Sequence, residues 1–254
     1  MNRLKVEYRR TTFYPSAWTL SPYRIEIDSM TALIGNPMLS PSVRDAVELS
    51  HSFRKLPFSI NSTVYFHSTN KLVSSNKSYD SNAFCTITYN NSADRIRTGI
   101  RVSGTIILFQ FIEIEPNFNL FYEEYHNDGV TRHNSSYSSY LMISMGLPKG
   151  FGIGAFGSYN GKLLHAQGYA DPNYSLDAVF IMKRFYKQNL NLYAGLRGLS
   201  KSKEKSFTYD GDIEGIYTFK HDTYGFAFRI TYLFNVGKKY DMEKINTHYE
   251  TDKK

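Results

Sequence analysis

The chain has 254 residues, a formal charge of +7 and 41% hydrophobic residues, which suits a folded protein rather than a disordered one. No run approaches the roughly 18 to 20 apolar residues of a membrane-crossing helix, which excludes a helical membrane protein but leaves a strand-built one open. The basic residues are scattered apart from Lys201–Lys205 and the C-terminal lysines, so no nucleic-acid surface is implied, and lone Cys85 excludes an intramolecular disulfide or a cysteine zinc cluster.

Aromatic residues make up 16% of the chain, 21 Tyr and 18 Phe against one Trp, and they favour strands. "RLKVEYRRT" reads as the first strand, followed by a long polar segment over 12–42. Val43, Val47, Leu49 and Phe53 then share one side of a strand whose other side carries Arg44, Glu48, Ser50 and Ser52. After "RKLP", Phe58, Ile60, Val64 and Phe66 oppose Ser59, Asn61, Thr63 and His67.

A long loop is expected over 72–94, then strands over 96–110 and 117–126 joined by "FIEIEP". A further long loop over 127–135 leads to Tyr137–Leu147, where Tyr137, Leu141, Ile143 and Met145 share a face. "LPKG" turns the chain into "FGIGAFGSYN", with Phe151, Ile153, Ala155 and Tyr159 on one side. Beyond a loop over 161–173, Tyr174, Leu176, Ala178, Phe180 and Met182 alternate with polar residues. "KQN" joins them to Leu190, Leu192, Ala194 and Leu196, and a loop over 200–222 precedes the last strand. There Tyr224, Phe226, Phe228, Ile230, Tyr232 and Phe234 form an apolar stripe opposite Arg229 and Thr231.

These segments make about ten strands in an all-β, antiparallel meander with short turns at one rim and long loops at the other, the organisation of a transmembrane β-barrel. The apolar stripes are expected to face outer-membrane lipid, and Glu48, Glu123, Asp177 and Arg229 a wet lumen. Tyr137, Tyr174, Tyr224, Tyr232 and Phe234 suit interfacial girdles. The barrel segment spans 1–237, and 238–254 reads as a charged periplasmic tail, although "MNRLKVEYRR" is no secretory signal.

No catalytic, cofactor or metal site is expected, and the chain reads as no enzyme. Gly152–Gly157 matches G-x-G-x-x-G but lies inside an alternating strand rather than at a strand-to-helix turn, which argues for glycines facing a crowded interior. The seven histidines lack ligand spacing; His126 and His133 read as solvated loop residues. No G-x-S-x-G elbow is present. The Gly35-Asn36-Pro37 corner reads as loop-shaping, with Gly and Asn tolerating unusual dihedrals and Pro enforcing extension before it.

Tyr8, Arg9, Arg10, Pro15, Ser16, Leu20 and Pro22, then Gly35, Asn36, Pro37, Leu39 and Pro41, then Glu48 and Leu49, resemble the C-terminal half of TonB-dependent outer-membrane receptors, in the barrel family abundant in Bacteroidetes. The ending "FAFRITYLFNVGKK" is similar too, while Tyr14 and Ser21 depart from the pattern. The resemblance implies a barrel of about 22 strands filled by a plug, taking up a small solute with energy delivered through TonB. This chain would supply the C-terminal part of such a barrel. Plug, TonB box and N-terminal strands would then lie outside it, leaving it inactive alone. The alternatives are a self-contained small barrel, serving as pore, adhesin or protease, and a soluble β-sandwich binding module.

Overall fold

The computed structural model describes residues 2–185, 190–219 and 224–232, with 179–185 and 219 as backbone alone. The strands in chain order are β1 (Asn2–Phe13), β2 (Arg24–Asp28), β3 (Thr31–Ile34), β4 (Ser42–Lys55), β5 (Phe58–Tyr79), β6 (Cys85–Leu108), β7 (Ile112–Asn127) and β8 (Val130–Gly146). They continue as β9 (Phe151–Asn160), β10 (Leu163–His165), β11 (Gly168–Ala170), β12 (Asn173–Phe185), β13 (Leu190–Lys201), β14 (Glu204–Asp210), β15 (Ile213–Phe219) and β16 (Gly225–Tyr232). One helical turn, α1 (Ala17–Leu20), is capped by the Ser16 side chain, which accepts from the Thr19 amide.

The main sheet runs β1-β4-β5-β6-β7-β8-β9-β12-β13-β16. Every neighbouring pair on this path is antiparallel, so the ten strands anticipated from alternation form one continuous meander. Among the described residues the sheet is open, with β1 and β16 at its edges. A second sheet, β10-β11-β14-β15, is built from the two late loops and is called the cap below.

Alternation now has physical content. Val6, Leu49, Val64, Ile100 and Leu120 stand opposite one another on successive strands, and all are exposed. So are Leu141, Ile143, Leu176, Leu196, Phe226 and Phe228 further along the sheet. Among the described residues no protein layer covers this apolar face; Val64 is 53% and Phe226 71% exposed. The band spans about nine to eleven residues on each strand, Phe58–Phe66 on β5 and Ile112–Tyr122 on β7, the length that crosses a bilayer core as a tilted strand. Phe109, Phe111 and Leu56 mark one border of the band, and Tyr8, Tyr122, Tyr137, Tyr174 and Tyr224 the other.

The connections differ from the expectation in an instructive way. The 72–94 segment is no loop: β5 and β6 run on past the apolar band and turn only at 80–84. From Phe66 to Tyr79 the extension adds roughly 40 Å of strand. A bulge at Lys71, whose φ is 53°, re-aims β5 where the band ends. The 127–135 segment is likewise strand, closed by Asp128 and Gly129 at φ 48° and 79°, the geometry of a two-residue type I′ hairpin. All of "FIEIEP" but its first residue lies within β7, and the turn sits at 109–111. Pro116 has no amide to donate, and the β6–β7 pairing lapses opposite it before resuming in register. The segment 12–42 holds α1, β2 and β3, with β3 parallel to the start of β6. "LPKG" does form the turn into β9, whereas "KQN" lies outside the described residues, as do Phe234 and the tail 238–254.

Candidate functional site

The face opposite the apolar band is polar and partly roofed, and its side chains fall into cross-strand rows. The topmost reads Arg44, Thr69, Arg95, Tyr125, Arg132 across β4 to β8. Below it come Ala46, His67, Arg97, Glu123 and Asn134, and then Glu48, Tyr65, Gly99, Phe121 and Ser136. Register alone sets these neighbours, because a period of two sends every second residue to this side.

Glu123 anchors the wall. It is 0% exposed, its Oε2 accepts from Arg97 Nε at 3.1 Å and from Nη2 as well, and Oε1 accepts the Leu164 amide of the cap at 2.8 Å. A buried carboxylate is tolerable only when paired and hydrogen-bonded in this manner. The solvated lumenal acid expected from sequence is therefore a closed ion pair. Glu48 behaves differently, remaining partly accessible and contacting His67 Nε2 at 2.9 Å. Tyr65 lies across Gly99 and donates to Asn119 Oδ1 at 2.9 Å; a Cβ at Gly99 would sit 2.8 Å from its hydroxyl. Arginines stack on this aromatic floor, Arg97 over Phe121 at 4.5 Å and Arg101 over Tyr65 at 5.4 Å.

The cap docks by matching backbone groups. Gln167 accepts from the Lys77 amide at 2.7 Å and donates to its carbonyl at 3.1 Å, so it pairs with β5 as a strand residue would. Arg132 donates to the Ala166 carbonyl at 3.0 Å, Asn134 to that of Lys162 at 2.8 Å, and the Tyr79 amide to Asp210 Oδ2 at 3.0 Å. Ala93, Tyr125 and Ala166 form a small buried core with Leu72 and Leu164. Lys77 Nζ rests 3.5 Å above the Tyr217 ring, and burial lowers its pKa. Burial, followed by the charge of Lys77, likewise lowers the His165 pKa. Burial pushes Tyr79 up to about 12.

The Gly35 corner is buried against α1 rather than open to solvent. A Cβ on Gly35 would collide with the Ser21 carbonyl and lie 2.7 Å from that of Thr19. Asn36 donates to the Tyr89 carbonyl at 2.9 Å and accepts from the Met38 amide at 2.9 Å. Neither residue has a positive φ, which corrects the dihedral argument: close approach selects the glycine, and side-chain hydrogen bonds the asparagine. Pro37 is exposed, and Leu39 and Pro41 are half-buried beside Ser40, whose amide donates to Asn91 Oδ1 at 2.7 Å.

Arg229 lies on the polar face, 5.7 Å over Tyr193, far along the sheet from Glu48. Tyr224, Phe226, Phe228, Ile230 and Tyr232 are exposed on the apolar face and edge. Gly152 and Gly154 belong to the polar face, but Gly157 stands opposite Leu141 on the apolar one, so the glycines do not share one interior. His126 is on the apolar side near the Tyr border, 2.7 Å from Glu124, while His133 stacks on Tyr122 at 6.4 Å. Asp177 accepts from the Gly198 amide beside a polar recess of about 510 Å³ that also includes Asn160, Arg197 and Lys201. The arginine rows were missed in sequence, yet "RIRTGIR" carries them as alternate cations in a strand.

Among the described residues no cluster of three or more His, Cys, Asp or Glu is placed to hold a metal, and no helix is long and apolar enough to cross a membrane. No curated protein matches the chain. A family model for the outer membrane protein beta-barrel family matches residues 1–232. That match covers nearly the whole meander, with its uncovered apolar band and polar inner wall, and the chain belongs to the outer membrane protein beta-barrel family.

Proposed function

We propose that this chain is an outer-membrane barrel segment of a TonB-dependent nutrient receptor, taking up a small solute once further strands and a plug complete it. The observation that carries the reading is the uncovered apolar face. Each Val, Leu, Ile or Phe there gains about 1.5–3 kcal/mol by leaving water, and a continuous band of them demands lipid as its solvent. In hydrocarbon every backbone group must be paired, so the open edges of β1 and β16 call for partner strands. The signature from Tyr8 to Leu49, which resembles the receptor pattern, supports a TonB-dependent origin for those partners. Membrane insertion places the Tyr border outside, with the β5–β6 extension and the cap above it. No catalytic role is assigned to the chain.

The even strand count favours a second reading, closure of β1 directly on β16 as a small self-contained barrel. A Leu4→Cys, Phe228→Cys double variant separates the two. Expressed in an outer membrane, the receptor segment leaves these thiols unlinked under oxidation. A monomer in which they form a disulfide refutes it in favour of the small barrel. Recovery of the folded chain in the soluble fraction without detergent refutes both.

A further inference from the structure

We infer that the inner wall beside the cap is a binding site for an anionic solute, one bearing carboxylate, sulfate or phosphate groups. The inference rests on the transport reading above and names the class of cargo. Arg44, Arg95 and Arg132 occupy one cross-strand row at two-strand intervals, about 10 Å apart, and Arg97 lies in the row beneath.

Three of the four are held by neutral groups. Arg44 Nε donates to Thr69 Oγ1 at 3.2 Å, Arg95 Nη1 to the Tyr125 hydroxyl at 3.1 Å, and Arg132 Nη1 to a backbone carbonyl at 3.0 Å. The rings of Phe13 and Tyr125 support Arg44 and Arg95 at 4.8 and 5.7 Å. These contacts fix the guanidiniums in place without neutralising them. Glu123 is occupied by Arg97 and the cap. The acids adjacent in the chain are aimed elsewhere, since Asp45 meets Tyr8 and Arg10 on the other face and Asp94 accepts from the Lys71 amide. Arg44, partly buried beyond the apolar band, therefore faces Arg95 and Arg97 as neighbouring like charges. Such a cluster is self-repelling until an anion enters, and planar guanidiniums bind carboxylate, sulfate and phosphate oxygens in pairs. The three guanidiniums keep partial exposure, while Thr69 and Tyr125 between them are buried and form the floor on which an anion would rest.

The test uses the full chain in detergent micelles, with protease resistance of the β4–β8 wall as the check of fold. Pyrophosphate, citrate and neutral maltose are titrated calorimetrically. The anions should bind at least about tenfold more tightly than maltose, and lose about tenfold or more between about 50 and 200 mM NaCl. R44Q/R95Q should weaken pyrophosphate at least about tenfold, and R44K/R95K by only about threefold. Equal affinity for maltose, or retained affinity in R44Q/R95Q, overturns the site. Should R44Q/R95Q fail to fold, the salt series on the unmodified chain decides, and a flat response refutes the inference. A chain that binds these anions in micelles but is absent from the outer membrane keeps the site and loses the transport reading. A chain embedded in the outer membrane that prefers no anion does the reverse.

Discussion

Replacing Glu123 by Ala should release the cap while leaving the wall standing. The side chain is wholly buried and its two oxygens serve different elements, Arg97 of β6 and the Leu164 amide of β10. Removing one member of a buried ion pair costs about 3–5 kcal/mol. Arg97 retains 26% exposure, so water recovers part of that loss and the lower end, about 3 kcal/mol, applies. The orphaned Leu164 amide adds about 1 kcal/mol if it stays buried, which favours its escape to solvent with the cap. The Arg97 pair lies within the wall, so cap opening is set by the lost Leu164 bond to a carboxylate, about 1.5–3 kcal/mol, and at tenfold per 1.4 kcal/mol the open population of the cap rises about tenfold to a hundredfold. Hydrogen exchange read by mass spectrometry should show this in peptides covering 161–170 and 204–219, with 112–122 unchanged. Glu123→Gln, which can still accept from Leu164 but cannot neutralise Arg97, should fall between. Unaltered exchange in both cap segments of folded Glu123→Ala protein would show that the latch holds nothing.

Lowering the pH should loosen the same cap. Docking depresses the His165 pKa below 6.5, so the docked state binds fewer protons than the undocked one. The contribution of His165 is present in full above pH 6.5 and is lost as the pH falls from there towards the depressed value; His165→Phe should flatten the response, measured as exchange of 161–170 between pH 8 and 5. Gly35→Ala must displace the Ser21 and Thr19 carbonyls and should cost about 1–3 kcal/mol, seen as faster proteolysis within 12–41. Asn36→Ala removes two hydrogen bonds and should cost about 1–3 kcal/mol in the same assay. Val102→Arg, at mid-band on the apolar face, should destabilise the protein folded into lipid vesicles by about 2–4 kcal/mol in a denaturant titration, whereas Ser103→Arg on the polar face should change it little. Equal effects of the last two would contradict the assignment of faces.

Alternation along the chain was enough to count the ten main strands and to say which side chains share a face, because a strand sends neighbours to opposite sides whatever surrounds it. Phe58, Ile60, Val64 and Phe66 illustrate this: their side is fixed by spacing, and their exposure follows once no second layer exists. The hairpin at Asp128-Gly129 was also legible in principle, since that dipeptide matches the twist of a two-residue turn, but the polarity of its surroundings suggested a loop. The same confusion hid the β5–β6 extension, where Ser, Asn and Lys on both faces reflect strands standing in water beyond the band.

Other features were decided only by tertiary structure. Glu123 looks in sequence like any acid in a polar strand; its burial depends on Leu164, some 40 residues later, returning from another loop to give up its amide. The cap itself pairs segments 163–170 and 204–219 that no local pattern links. Gly35 owes its identity to the backbone of Thr19 and Ser21 pressing against it, a contact invisible in its own neighbours. Side-chain period belongs to the single strand and can be read from it, whereas register between strands, and therefore the arginine row of the inner wall, exists only when distant segments are hydrogen-bonded side by side.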